Sequence, residues 1–248
     1  MTDNASAAAK MIKGATIAMG DGSYFDFLNP AATTMTIEDY AYALAYTVRS
    51  RGQMKHNGRR CFYGVGQHCV HGAEQMLLDG HDRADAFDFL MHESDEMPIG
   101  DMVGPAKGLP QLVGYKELAK LVGDGIDARF RVAIRNKPLI KRYDIRMLAT
   151  EKRDMMAFTK GEAWTWTEGY EPFERPIVPY KHPDEAAVRF IDLYRALGGI
   201  DAPPPNRDSC VSCGCLVGEL HRMMPAQGIM PARPCWKSGD TVLFGGAW

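Results

Sequence analysis

Apolar residues recur at helical spacing over most of this chain. Ile37, Tyr40 and Leu44 share one face of a predicted helix, and Thr36 with Asp39 matches the capping-box pattern at its start. The same spacing predicts further helices over about 65–78, 83–96, 113–122, 124–132, 139–158 and 182–197. The pattern therefore predicts an all-α fold, a helical bundle.

Three regions depart from the helical pattern. An apolar stretch at 12–19 and a Gly-Asp-Gly turn at 20–22 predict a short N-terminal β-hairpin. Residues 161–182 carry three prolines and are predicted to be a loop. Beyond Gly199 the chain contains three consecutive prolines and four of its six cysteines, which predicts an irregular extension. We therefore expect an N-terminal arm or hairpin at 1–35, a helical domain at 36–198 and a C-terminal extension at 199–248.

The composition narrows the class of protein. At 248 residues, with 46% hydrophobic and 24% charged positions, the chain is long enough for one large globular domain. Its net charge of −2 gives no overall attraction to nucleic acid or acidic lipid, so neither is an expected partner. No apolar run approaches the roughly 20 residues that span a bilayer. The first ten residues lack a basic and then apolar leader pattern, and six cysteines are few for a disulfide scaffold. We expect a cytoplasmic protein.

Candidate metal ligands lie on three of the predicted helices. His68 is on the second helix, His92 and Glu93 are on the third, and Asp144 is on the long helix that begins near 139. Each is surrounded by apolar neighbours, and bundles build metal sites from such inward-facing side chains. Two imidazoles with two carboxylates are a ligand set typical of a divalent transition-metal site and not of a structural thiolate site. The competing interpretation is hydrogen-bonded core histidines and solvated carboxylates.

Further carboxylates follow these ligands. On a continuous helix, Glu96 shares a face with His92 one turn earlier, where a carboxylate can hold or deprotonate a metal-bound water. Asp101 follows Gly100, near the expected end of the helix. The loop 51–64 is basic and is predicted to be irregular.

Three segments resemble the HD-domain superfamily of metal-dependent phosphohydrolases, whose ligands occur in the order H…HD…D. They are Arg59-Arg-Cys-Phe-Tyr-Gly-Val-Gly-Gln-His68, Leu90-Met-His-Glu-Ser-Asp-Glu-Met-Pro-Ile-Gly-Asp101 and Tyr143-Asp-Ile-Arg-Met-Leu-Ala-Thr-Glu-Lys-Arg153. The resemblance covers about residues 24–195. It is strongest to the bacterial 5′-deoxynucleotidases and to the phage deoxynucleoside triphosphate hydrolases.

The resemblance implies a function and a role for each residue. The implied reaction is hydrolysis of a phosphate ester or anhydride of a deoxynucleotide by a metal-activated water. One divalent cation (Mn, Co, Zn, Fe or Mg) would be held by His68, His92, Glu93 and Asp144. Glu96 would act as the general acid or base, and Asp101 would orient the leaving group or the sugar. Arg60 and Lys107 would bind phosphate. The family also self-associates commonly, which implies a homo-oligomer.

Two positions leave alternatives open. Glu93 stands where the family has its defining aspartate, so the alternative is a catalytically silent HD-like protein that binds a nucleotide or a partner. In the extension, Cys210 and Cys213 form a C-x2-C pair, and a second, zinc site would use Cys210, Cys213, Cys215 and Cys235. The alternative there is an extension with free thiols.

Overall fold

The computed structural model describes residues 14–157, 162 and 164–200. The described part of the chain contains eight α-helices: α1 (Ile37–Tyr46), α2 (Val65–Leu78), α3 (Arg83–Leu90), α4 (Glu96–Ile99), α5 (Gly104–Lys107), α6 (Tyr115–Phe130), α7 (Lys137–Met155) and α8 (Pro183–Ala196). It also contains four short strands: β1 (Thr16–Ala18), β2 (Tyr24–Asp26), β3 (Lys55–His56) and β4 (Arg59–Arg60). The mainly helical fold class is confirmed. The predicted cysteine site and most of the predicted extension lie outside the described residues.

Helix α2 is the centre of the bundle and contacts α1, α3, α7 and α8. Its observed bounds match the predicted range 65–78. Two glycines let its neighbours approach closely. A Cβ at Gly66 would lie 2.9 Å from the backbone nitrogen of Ala45 on α1, and one at Gly72 would lie 2.0 Å from the ring of Phe89 on α3. Because both contacts require a bare backbone, these glycines set how near α1 and α3 lie to α2.

The predicted N-terminal hairpin is confirmed, with Ile17 opposite Phe25 in the antiparallel pair β1–β2. The basic stretch after α1 is not the loop that the pattern predicted. Strands β3 and β4 form a second hairpin there, closed by Asn57 and Gly58, whose φ angles are 51° and 75°. Two consecutive positive φ values are typical of a type I′ turn, and Asn-Gly is the sequence that favours it.

The capping box at the start of α1 is confirmed. The Asp39 backbone N–H donates to the Thr36 hydroxyl, and the Asp39 carboxylate accepts from the Thr36 backbone N–H. Helix α6 runs unbroken where two helices were predicted, although it contains Gly123 and Gly125. A Cβ at Gly125 would lie 2.7 Å from the backbone of Pro30, so this glycine serves close packing and does not end the helix.

The prediction of a helix over 83–96 was wrong in its second half. Helix α3 ends at Leu90, and residues 91–95 form consecutive turns before the four-residue helix α4. Ser94 donates its hydroxyl to the carbonyl of Met91 at 2.8 Å, and this side-chain bond competes with helical pairing. His92 and Glu96 therefore do not share a face of one helix.

The described segment after α7 is a loop without helix or strand between residues 164 and 182, as predicted. Side chains of α7 hold it in place. Arg153 donates to the carbonyl of Phe173, Asp154 accepts from the backbone N–H of Ile177, and Thr150 accepts from that of Phe173. Within the described residues, no helix is long and apolar enough to cross a bilayer.

Candidate metal centre

Four side chains from three parts of the chain converge on one point. One ligand atom each from His68, His92, Glu93 and Asp144 lies within 4.8 Å of the other three. The Nε2 atom of His68 is 3.6 Å from Oδ1 of Asp144, and Nε2 of His92 is 3.9 Å from the same oxygen. These are the four residues that the sequence predicted, and their grouping is confirmed as one that could hold a metal ion.

The two imidazoles are oriented as metal ligands. His68 Nδ1 lies 2.7 Å from Oε1 of Glu151, and His92 Nδ1 lies 2.6 Å from the backbone carbonyl of Phe89. Since both acceptors take the Nδ1 proton, the neutral form of each ring presents the lone pair of its Nε2 to the other ligand atoms. Both Nε2 atoms are buried and have no hydrogen-bond partner among the described residues. Buried polar atoms are nearly always paired, so this arrangement fits a cation that is bound between the two rings.

Glu93 reaches the site because it lies in a turn. Adjacent residues on a helix point about 100° apart, which would make the pair His92 and Glu93 a poor chelate. In the turn that follows α3, Oε1 of Glu93 lies 3.5 Å from Nε2 of His92. The same oxygen is 3.5 Å from Nη1 of Arg49. The turn thus allows the carboxylate of Glu93 to reach the group of ligands.

Sequence reasoning missed two residues that support the ligands. Glu151 on α7 is completely buried and joins His68 to Arg49, whose Nε lies 3.1 Å from Oε1 of Glu151. Arg49 is itself nearly buried and also reaches Glu93, so it links the two acids. Position 151 follows Asp144 by seven residues, two turns of the same helix, and this spacing is the signal that could have identified it.

Electrostatics hold a proton in the metal-free site. Burial alone lowers the pKa of His92, but the nearby carboxylates of Glu93 and Asp144 outweigh it and leave that pKa well above its usual value. Burial likewise raises the pKa of Asp144, but attraction to the nearby His92 ring outweighs it and holds the pKa of this carboxyl well below its usual range. The metal-free site is therefore an imidazolium between carboxylates.

We expect a divalent cation to displace this proton. Binding at pH 7 should release about one proton per cation, and affinity should rise with pH up to the raised pKa of His92, because the ligand form is the neutral ring. Calorimetric titrations in buffers of different ionisation enthalpy measure the release. His71→Asn is the control, since burial lowers the pKa of His71 to about 4 and this ring is already neutral. Binding without proton release would contradict the arrangement.

Lys107 donates a hydrogen bond to Glu96 beside the candidate ligands. Lys107 Nζ lies 2.9 Å from Oε1 of Glu96, and Oε2 of Glu96 is buried with no partner among the described residues. Burial and the charge of Glu93 raise the pKa of Glu96 to about 8. Lys107, predicted to bind phosphate, is thus engaged with a carboxylate. Asp101 accepts from the backbone N–H of Ser50 at 3.0 Å.

These residues line one open cavity of about 1040 Å³. Glu93, Asp144, Glu96 and Asp101 are on its wall, and so are both predicted phosphate-binding residues, Arg60 and Lys107. Two indoles that sequence reasoning left unassigned, Trp164 and Trp166, also line it. Trp166 packs on Gly104, where a Cβ would lie 2.4 Å from the ring. The volume is at the upper end of what small-molecule sites enclose.

Comparison with known proteins adds one distant relative. No family model matches the chain. The chain is 28% identical over 178 residues to the uncharacterized protein YfdR of Escherichia coli (strain K12), a match that covers 72% of this chain and 92% of that protein. The name of this relative states no activity, so the argument for a function rests on the geometry of the site.

Proposed function

We propose that the protein is a metal-dependent phosphohydrolase of the HD-domain type that acts on a deoxynucleotide. The observation that carries this proposal is the pair of buried, unpartnered imidazole Nε2 atoms that face two carboxylates. Such a donor set holds a divalent transition metal with coordination positions left for water and substrate. The order of the ligands along the chain and the resemblance of the three segments to HD-domain phosphohydrolases support the same function.

The bound cation would supply an acidified water and polarise a phosphoryl oxygen. The protein's own groups perform the remaining steps. Glu96, with its pKa raised to about 8, holds a proton near neutral pH that it can donate to the leaving oxygen. Lys107 fixes the Glu96 carboxyl by binding its other oxygen. Asp101 accepts from the backbone N–H of Ser50 through Oδ2, and its Oδ1 can accept a hydrogen bond from a sugar hydroxyl.

The geometry favours a working site over a silent binding protein. The silent alternative rests on Glu93 replacing aspartate, yet the carboxylate of Glu93 lies as close to Nε2 of His92 as that of Asp144 does to Nε2 of His68. A ligand set that had lost its cation would also have no need to keep two buried nitrogens unpaired, since unpaired buried polar atoms are costly.

A metal and substrate screen tests the proposal directly. Metal-stripped protein is reloaded with Mn, Co, Zn, Fe or Mg and incubated with deoxynucleoside mono- and triphosphates. Release of phosphate, pyrophosphate or triphosphate is expected with at least one cation. If no cation and nucleotide combination yields any product, the proposed function is wrong.

Glu96→Gln should separate catalysis from metal binding. The amide cannot carry the proton, so turnover should fall by roughly 10²–10⁴-fold, the usual contribution of a general acid or base. Metal content should stay the same, because Glu96 is not one of the four converging ligands. Product release and metal analysis on the same samples measure both effects. Equal loss of metal and activity would show that Glu96 acts as a ligand.

A further inference from the structure

The cationic side chains on the cavity wall fall into two groups. Lys107 and Lys141 are paired with acids, Lys107 with Glu96 and Lys141 with Asp144 at 2.8 Å. Lys55 and Arg60 line the same cavity but form no ion pair with any acid among the described residues. Within the part of the chain that the structure describes, Arg60 donates only to neutral oxygens, the carbonyl of Gly52 and the side-chain amide of Gln53. These two side chains carry positive charge for which the described residues supply no counter-ion.

The hairpin β3–β4 places these two charges side by side. Lys55 and Arg60 are directly opposite each other in its register. Residues opposite each other across an antiparallel pair have their side chains on the same face, and like charges there repel. The repulsion between Lys55 and Arg60 disfavours folding of the hairpin. An anion that lies between the two side chains would account for this arrangement.

The hairpin is built to hold these charges still. Its tight Asn57-Gly58 turn fixes the register, and the backbone N–H of Cys61 donates to the carbonyl of Met54, a buried residue at the base. Strand β3 packs against α7, the helix that carries Asp144. The Nη1 atom of Arg60 is already bound, and its Nη2 and Nε atoms have no acceptor among the residues described, so they can donate in a forked pair to phosphate oxygens.

We propose that Lys55 and Arg60 bind phosphate groups beyond the one at the metal, so that the ligand of this cavity is a nucleoside di- or triphosphate. The inference rests on the proposed function for the nature of the ligand. Charge supports it. Among the described residues the cavity wall carries five cationic and four acidic side chains, so a bound divalent cation brings the net charge to at least +3. A single phosphate, which carries about −1.5 to −2 at pH 7, leaves part of this charge unmatched, and further phosphates supply the remainder.

The same hairpin offers a matched control. Arg59 is next to Arg60, has the same charge and is also exposed. In the register of the hairpin it lies opposite His56, and it is not on the cavity wall. Successive residues of a strand point to opposite faces, so Arg59 faces away from the pair. A nonspecific effect of removing one charge from the hairpin would therefore appear equally in Arg59→Gln.

The test compares the affinities of deoxynucleoside mono-, di- and triphosphates, titrated calorimetrically into metal-loaded protein at fixed ionic strength. The titrations use the Glu96→Gln variant so that the nucleotides are not hydrolysed during the measurement. We expect triphosphate to bind at least about 10-fold more tightly than monophosphate, as one or two charge-assisted hydrogen bonds allow. Lys55→Gln/Arg60→Gln should remove this advantage by lowering triphosphate affinity at least about 10-fold more than monophosphate affinity, and Arg59→Gln should change neither affinity. Circular dichroism checks that each variant folds, and the two single variants are used if the double variant does not.

The outcomes separate this inference from the proposed function. Equal affinities for mono- and triphosphate, or equal losses in Arg59→Gln and in the double variant, would overturn the hairpin site even if monophosphates are hydrolysed. If no nucleotide is hydrolysed but affinity still rises with phosphate number and depends on Lys55 and Arg60, the hairpin site stands and the proposed function fails. Inorganic tripolyphosphate, titrated in the same way, should compete with the deoxynucleoside triphosphate for protein that has the wild-type hairpin. It should not compete for the Lys55→Gln/Arg60→Gln variant.

Discussion

Asp144→Asn is expected to lose the divalent cation, and hydrolysis with it. Oδ1 of Asp144 faces the Nε2 atoms of both histidines, so this oxygen closes the group of ligands. Asparagine has the same size but no charge, and a neutral ligand attracts a dication far less. Replacing a residue that only hydrogen-bonds to a metal ligand costs about 10–100-fold in metal affinity, so loss of a charged ligand should cost more than about 100-fold.

Thermal unfolding with and without metal measures the loss for Asp144. A cation at 100 times its dissociation constant stabilises the native state by about 2.7 kcal/mol, so the wild type should gain stability on metal addition and Asp144→Asn should not. Asp124→Asn is the matched control, because Asp124 is an exposed aspartate on α6 that pairs with Lys120. An unchanged metal response in Asp144→Asn would remove this aspartate from the proposed ligand set.

The sequence was sufficient to predict elements whose signal is local. Helix α2 has its predicted bounds because a 14-residue apolar pattern and its flanking glycine and turn residues act over short range. The capping box of α1 depends only on Thr36 and Asp39, three residues apart. The four candidate metal ligands were identifiable by residue type, since a histidine or carboxylate inside an apolar pattern requires compensation.

What the sequence did not reveal depends on contacts between distant segments. Helix α3 stops at Leu90 because Ser94 turns back to Met91 and also bonds to Asp127 on α6, 33 residues away. Helical periodicity cannot report this contact. Arg49 and Glu151 meet across 102 residues, and each alone has the appearance of an exposed charge. The second hairpin is a different case, because its Asn-Gly turn is a local signal that the sequence contains. Each of its strands has only two residues, which is too few to show an alternating pattern.

The turn at 91–95 has a consequence for the ligand chemistry. On a continuous helix, His92 and Glu93 would diverge, and aspartate or glutamate at 93 would reach the cation only from the side. The chain leaves the helix at Leu90, and one ligand atom of each side chain lies within 4.8 Å of a carboxylate oxygen of Asp144. The carboxylate of Glu93 therefore reaches the group of candidate ligands, and it also contacts Arg49.

Glu151→Ala should be among the most destabilising substitutions in the described part of the chain. Glu151 is fully buried and accepts from both Arg49 and His68, so its removal leaves a nearly buried guanidinium and an imidazole N–H without their acceptor. Breaking a buried ion pair from one side typically costs about 3–5 kcal/mol, because the remaining charge stays desolvated. Urea unfolding of metal-free protein measures this loss.

The conservative variant and an exposed control decide how Glu151 acts. Glu151→Gln keeps the shape and one acceptor oxygen, so it should retain more stability than Glu151→Ala but still lower metal affinity by about 10–100-fold through the orientation of His68. Glu117→Ala, at an exposed position in the first turn of α6, should change stability by no more than about 0.5 kcal/mol. If Glu151→Ala costs no more than this control, the Arg49–Glu151–His68 chain does not support the ligands. Lower metal affinity in Glu151→Gln at near wild-type stability would instead assign this buried acid to the orientation of the metal ligand, because a purely structural role would change both measurements together.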